Sequence, residues 1–251
     1  MEAEGTMKKS KMKRGKKMFL YIAAAVLVIV VLVFLFYYNK ALPEALEIAE
    51  TMEKVGSDYY FNGDSDVGFI IFSGAKADEK AYAYLAKLLH EAGHTVVIPM
   101  PVLHMTATES HGLAIIESNP KIEKWFLIGH SLGGLPITRI ALQQPPKVQG
   151  IAYLASYVLT GLEELDIPVI RITASNDMTM NKDMMKSSSE HLPDNSFEIE
   201  LEGANHQGFA AYKALGRDGE ATISWKEQQE QSVLLILDFF DPHISNVSLG
   251  D

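Results

Sequence analysis

The stretch Trp125-Phe126-Leu127-Ile128-Gly129-His130-Ser131-Leu132-Gly133 decides how this chain is read. An apolar run of strand character ends in the pattern G-x-S-x-G. A strand that turns sharply into a helix must hold its turn residue in a strained conformation. Glycines two before and two after the serine remove the side chains that would collide there. The turn lifts one hydroxyl above the sheet edge, within reach of a base. Taken alone, the pentapeptide also reads as an ordinary glycine-rich turn. Its surroundings favour the elbow. Residues 135–144 (LPITRIALQQ) place Leu135, Ile137, Ile140, Ala141 and Leu142 on an apolar helical face, and Pro145-Pro146 ends it.

Working outward, short apolar runs alternate with helical patterns. Strands are expected at Val67–Phe72, Thr95–Ile98, 125–128, Val148–Leu154, 168–173 and 197–201, and helices at 79–92, 135–144, 182–191 and 225–240. This alternation predicts an α/β fold, with a mostly parallel central sheet covered by helices on both faces. Right-handed crossovers then bring the C-terminal ends of the strands to one edge, where sites form. Residues 99–118 are the most irregular stretch and are expected to wall the site, with His104, Met105 and His111 at its entrance or on the surface. Only about a dozen residues separate Tyr153 from Pro168, so any lid is minimal and the cleft open.

The N-terminus has a different character. Residues 18–38 form an uncharged run of 21 residues, long enough to cross a hydrocarbon core of about 30 Å as a helix. Seven cations precede it, from Lys8 to Lys17, which predicts an N-terminus held in the cytoplasm and a remainder carried across. A cleaved signal peptide competes, but the run exceeds a signal's apolar region, ends in Phe36-Tyr37-Tyr38, and has no A-x-A-like site after it. The expected organisation is a basic tail (1–17), a transmembrane anchor (18–38), a juxtamembrane segment with a short helix opened by Pro43 (39–66), the catalytic domain (67–241) and a C-terminal tail (242–251). The expected location is the cell membrane, single-pass, with the catalytic domain outside the cytoplasm. The tail carries +5 of the overall −10, leaving −15 for the rest, which argues against nucleic acid as a partner. The absence of cysteine excludes disulfides, thiolate catalysis and cysteine-bound zinc.

A serine hydroxyl needs a base to take its proton as it attacks, and the base needs a carboxylate to fix its tautomer. After an elbow of this kind the acid and then the histidine follow in the chain. Five of the eight histidines precede Ser131; of the others, His191 lies in a helical stretch and His243 beyond the last helix. His206 follows a strand in the loop Glu202-Gly203-Ala204-Asn205-His206, at the expected edge. Asp177 lies just past the strand at 168–173, with Asp183 and then Glu202 as alternatives. The oxyanion is expected to meet the backbone amides of Leu132, next to the nucleophile, and of Ala75, in the loop Ser73-Gly74-Ala75-Lys76, with Lys76 next.

These residues resemble the α/β-hydrolase superfamily, in particular its compact bacterial fold-5 branch. The matching pieces are VGFIIFSGAKADEKAYAYLAKLLHEAGHTVVIPMP, KWFLIGHSLGG, IPVIRITASND, EGANHQGF and LGRDGEATISWKEQQEQ, spanning residues 68–240. The resemblance implies Ser131 as nucleophile, Asp177 as acid and His206 as base, with no cofactor and no metal. It departs from the family where a common HG pair reads Ser73-Gly74, which leaves the oxyanion donor open. Serine at the elbow sets the chain apart from relatives that use aspartate or cysteine. The expected activity is cleavage of carboxylic esters or related acyl compounds, on a small-molecule or lipid-like substrate. Transfer of the acyl group to an envelope component, or a non-catalytic binding role for the same scaffold, are the alternatives.

Overall fold

Along each central strand the side chains alternate between two separate cores, and this alternation fixes the architecture. The computed structural model describes residues 2–213, 216 and 218–245. The chain forms two units that divide after Tyr38.

The second unit is built on one eight-stranded sheet: β1 (Glu53–Val55), β2 (Asp58–Phe61), β3 (Val67–Phe72), β4 (Thr95–Ile98), β5 (Lys124–His130), β6 (Val148–Leu154), β7 (Val169–Ala174) and β8 (Ser196–Leu201). Their spatial order is β1-β2-β4-β3-β5-β6-β7-β8. Strands β3 to β8 pair in parallel, whereas β1 and β2 form an antiparallel hairpin that joins β4. The helices of this unit are α2 (Pro43–Ala49), α3 (Ala83–Glu91), α4 (Glu109–Ser118), α5 (Gly134–Leu142), α6 (Lys182–Ser187) and α7 (Trp225–Ile244), following α1 (Glu2–Phe36) of the first unit.

One face of the sheet packs Phe69, Ile71, Phe126, Ile128, Ile170 and Ile172 against Ala45 of α2, Leu85 and Leu89 of α3, and Ile236 and Phe240 of α7. The opposite face packs Ile70, Phe72, Trp125, Leu127, Ile151 and Tyr153 against Ile115 of α4 and Ile137 and Ile140 of α5. Each large apolar side chain removed from water in this way contributes roughly 1.5–3 kcal/mol before entropy is counted. Phe126 and Phe240, with ring centroids 4.6 Å apart, couple the sheet to the last helix. The in-register parallel pairing also aligns the strand ends: Phe72 lies opposite Gly129, His130 opposite Leu154, and Ala174 opposite Leu201.

The α/β architecture is the expected one, and no helix or strand interrupts residues 155–168, where a lid would be inserted. Three elements differ from expectation. Residues 109–118, read as irregular, form α4, whose start is fixed by the Thr108 hydroxyl accepting the His111 amide at 3.2 Å. The hairpin β1–β2 was not anticipated, because Glu53–Val55 is exposed along its length and lacks the apolar alternation that marks a strand. Helix α7 passes through Pro242 to Ile244, beyond the expected end. Of the expected C-terminal tail, residues 246–251 lie outside the described residues.

In the first unit, Arg14–Val33 of α1 is long and apolar enough to cross a membrane, and none of it is buried. Phe19, at 74% exposed, shows how completely its apolar side chains face outward.

Candidate active site

Strand β5 ends at His130, and Ser131 follows with φ +51°, a left-handed conformation that costs a non-glycine residue free energy. A 3-10 turn, Ser131–Gly133, then runs into α5. The glycines permit this close passage. A Cβ at Gly133 would lie 2.1 Å from the Phe72 carbonyl oxygen, and one at Gly129 would lie 2.5 Å from the Gly133 oxygen. Ser156, just past β6, donates its hydroxyl to the Ser131 carbonyl at 2.7 Å and pins the strained turn from the other side.

Asp177 and His206 meet at the same edge. The ring Nδ1 of His206 lies 2.8 Å from Oδ2 of Asp177. The other carboxylate oxygen accepts the amides of Thr179 at 2.8 Å and Met180 at 2.9 Å. Burial pushes the Asp177 carboxyl up, but the hydrogen bond and attraction of His206, with those two amides, outweigh it and leave the acid below its ordinary value. An ionised carboxylate accepts only, so Nδ1 carries the proton and Nε2 is left as the basic nitrogen. Of the other carboxylates considered, Asp183 sits in the first turn of α6 and Glu202 directly follows β8; among the described residues neither bonds to His206.

The link from Ser131 to His206 is indirect. The His130 ring lies against that of His206, with centroids 4.7 Å apart, and its Nε2 meets the His206 carbonyl oxygen at 3.1 Å. Among the described residues, no hydrogen bond joins the Ser131 hydroxyl to the His206 ring. Catalytic serine–histidine bonds are often long without substrate and tighten on binding.

The loop after β3 approaches the elbow closely: a Cβ on Gly74 would stand 3.3 Å from Cβ of Ser131. Within this loop the Gly74 amide donates to the Tyr82 hydroxyl at 2.8 Å, and the Lys76 amide to the His104 carbonyl at 2.5 Å. The Ala75 amide between them has no partner among the described residues. Leu132 stands at the N-terminal end of the helical turn, where backbone amides lack intrahelical acceptors.

Ser131 and Leu132 share with Leu135, Tyr157, Leu159 and Met180 the wall of a mainly apolar cavity of about 210 Å³. A larger hollow of about 670 Å³ lies at the opposite strand ends, beside Asn62, Ser65 and Lys121. There Ser65 contacts Nδ1 of His94 at 3.0 Å, yet no carboxylate is hydrogen-bonded to that ring among the described residues. Of the histidines within residues 99–118, His111 pairs its Nε2 with Asp58 at 2.8 Å, and His104 stands 3.8 Å from Glu79.

The chain matches the alpha/beta hydrolase family over residues 68–230, well over half its length.

It is an alpha/beta hydrolase.

No protein in the curated set matches its sequence. Among solved structures, this hydrolase is similar to a predicted CIB-like hydrolase from Thermoplasma acidophilum, at 19% identity and a TM-score of 0.55, covering 75% of this chain and 95% of the other. A monoacylglycerol lipase from Paleococcus ferrophilus shares 16% identity with a TM-score of 0.55, covering 72% and 98%. A carboxylesterase structure from Nitrososphaera gargenis shares 15% with a TM-score of 0.54, covering 78% and 99%. At these identities the likeness is one of fold.

Several residues of this hydrolase that shape the site escaped the sequence reading. Asp218 accepts the amides of Gln207 at 2.9 Å and Met178 at 3.1 Å, tying the loop of the histidine to the loop of the acid. Gln228 of α7 bonds both the amide and the carbonyl of Asn205. Both lie in the segment LGRDGEATISWKEQQEQ, whose resemblance was visible although its purpose was not. Ser156 carried no signal in the sequence, because its partner is a backbone oxygen 25 positions away.

Proposed function

We propose that this alpha/beta hydrolase cleaves carboxylic esters or related acyl compounds through a serine acyl-enzyme. The observation that carries the reading is the buried Asp177–His206 pair at the strand-end edge that also bears the strained Ser131. Ser131 attacks the acyl carbon as its proton passes to Nε2 of His206, and Asp177 holds the ring and balances the imidazolium. The amides of Ala75 and Leu132 receive the oxyanion. The tetrahedral intermediate collapses, breaking the bond to the leaving oxygen, which takes the proton from His206. Water then repeats the sequence against the acyl-serine, releasing the acid and restoring the hydroxyl.

The cavity beside Ser131 favours an apolar acyl group, since Leu132, Leu135, Leu159 and Met180 offer it little polar contact. The solved relatives named as a lipase and a carboxylesterase support the same substrate class. The exposed apolar span of α1, behind its run of lysines, supports an uncleaved anchor with the catalytic unit outside the cytoplasm.

The test is Ser131→Ala assayed on p-nitrophenyl esters and with a fluorophosphonate probe. Loss of both turnover and labelling in a folded variant is expected. Wild-type turnover in that variant would overturn the assignment.

A further inference from the structure

A chain of buried hydrogen bonds runs behind the proposed site. The Gly74 amide meets the Tyr82 hydroxyl at 2.8 Å, that hydroxyl meets Nδ1 of His130 at 2.7 Å, and Nε2 of His130 meets the His206 carbonyl at 3.1 Å. The two ends fix the direction of every bond. A carbonyl only accepts, so Nε2 carries the His130 proton, and a neutral ring then offers Nδ1 as an acceptor. Tyr82 must therefore donate to Nδ1 and turn a lone pair toward Gly74, whose amide only donates.

The charge states agree. Burial, reinforced by the neighbouring His206, pushes His130 well below the ordinary imidazole range, against the opposing effect of its bond to the His206 carbonyl. Burial likewise pushes the Tyr82 phenol up, so it keeps its proton. Tyr82 and His130 are at most 1% exposed, so bulk solvent does not reach either of them.

The positions joined are informative. Gly74 precedes Ala75, the proposed oxyanion donor; His130 precedes Ser131; and His206 is the proposed base. Core packing alone asks less of these positions. A phenylalanine at 82 would fill the same space against His130, whose ring centroid lies 5.8 Å away.

We propose that Tyr82 and His130 are positioning residues, a relay that holds the oxyanion loop and the base loop in register with the nucleophile. The inference rests on the assignment of Ser131 and His206 given above. It makes neither residue a participant in proton transfer to substrate. The relay keeps the Ala75 amide and the His206 ring aligned with Ser131 during the reaction, so its loss acts on kcat and leaves KM little changed.

The experiment compares full-length wild type with Tyr82→Phe, His130→Leu, the double variant and His130→Gln, on p-nitrophenyl butyrate and by fluorophosphonate labelling rate, with thermal unfolding of each. Tyr82→Phe is expected to lower kcat about tenfold and His130→Leu about a hundredfold, both with KM within about twofold of wild type. Residues acting through one chain are not additive, so the double variant should fall no further than His130→Leu. His130→Gln keeps an N–H for the His206 carbonyl and should recover at least about tenfold over His130→Leu. Wild-type kcat in a folded Tyr82→Phe, or multiplying effects in the double variant, would overturn the relay while leaving the serine assignment intact. Should Tyr82→Phe not fold, equal kcat in His130→Gln and His130→Leu would overturn it. A wild type that neither labels nor turns over would instead remove the underlying assignment, and the relay with it.

Discussion

Nδ1 of His206 donates to Oδ2 of Asp177 across 2.8 Å, and less than a tenth of either side chain is exposed. A buried carboxylate is tolerated only when its oxygens are satisfied. Here the ring satisfies one and two backbone amides the other. Replacement by asparagine puts an N–H₂ group where an acceptor is required, and the ring loses its fixed tautomer. Asp177→Asn is expected to lower kcat on a p-nitrophenyl ester by roughly 10⁴.

The same carboxylate ties stability to acid. Its value in the folded protein lies below the ordinary 3.8, so its stabilisation is complete above that pH and is lost as pH falls through the lower folded value. Chemical denaturation of wild type and Asp177→Asn should therefore show a gap at pH 6 that narrows as the solution is taken below about pH 4. A gap of constant size would show that the bond contributes nothing in proportion to its ionisation.

Ser156 donates to the carbonyl of Ser131 in addition to the Gly134 amide of the helical turn. Ser156→Ala removes one of the two donors to that oxygen, on a residue already held at positive φ. The expected loss is about 1 kcal/mol of stability with a several-fold drop in kcat, measured by urea melts and steady-state kinetics.

Asp218 joins two loops that must move together if Asp177 and His206 are to stay aligned. Asp218→Ala frees the amides of Gln207 and Met178 at once. Stability should fall by about 1–3 kcal/mol, and turnover by more than the unfolded fraction explains. Equal losses of both would mark Asp218 as a structural residue only.

On the proposed ester chemistry, the cavity wall should set a length preference. Each methylene of the acyl group taken into it should raise kcat/KM about fourfold, from roughly 0.8 kcal/mol of transfer, until the space is filled. A p-nitrophenyl ester series from acetate upward gives the slope, and Leu159→Asp should flatten it.

The architecture was legible in the sequence because its strands are buried on both faces. VGFIIF, KWFLIG and IPVIRI are runs that water excludes on either side, so they stand out without any knowledge of partners. The hairpin β1–β2 did not stand out, since Glu53–Val55 lies exposed at the sheet margin and is held by pairing, not by burial. At the site, chain order and strand ends drew attention to Ser131, Asp177 and His206. Ser156, Asp218 and the Tyr82–His130 contact have no such address. Their partners are backbone atoms or residues tens of positions away, and only folding brings them together.

Residues 39–66 also have a consequence for anyone preparing a soluble enzyme. Asn39 pairs in parallel with Ala77, its amide meets the Lys76 carbonyl, and the Leu42 amide meets that of Ala211, while Ala45 is wholly enclosed. A fragment begun at residue 67, where β3 starts, would tear away the backing of the very loop that carries Ala75. One begun at Asn39 keeps that backing and, on the proposed membrane anchor, should leave the membrane fraction with its catalytic rate undiminished.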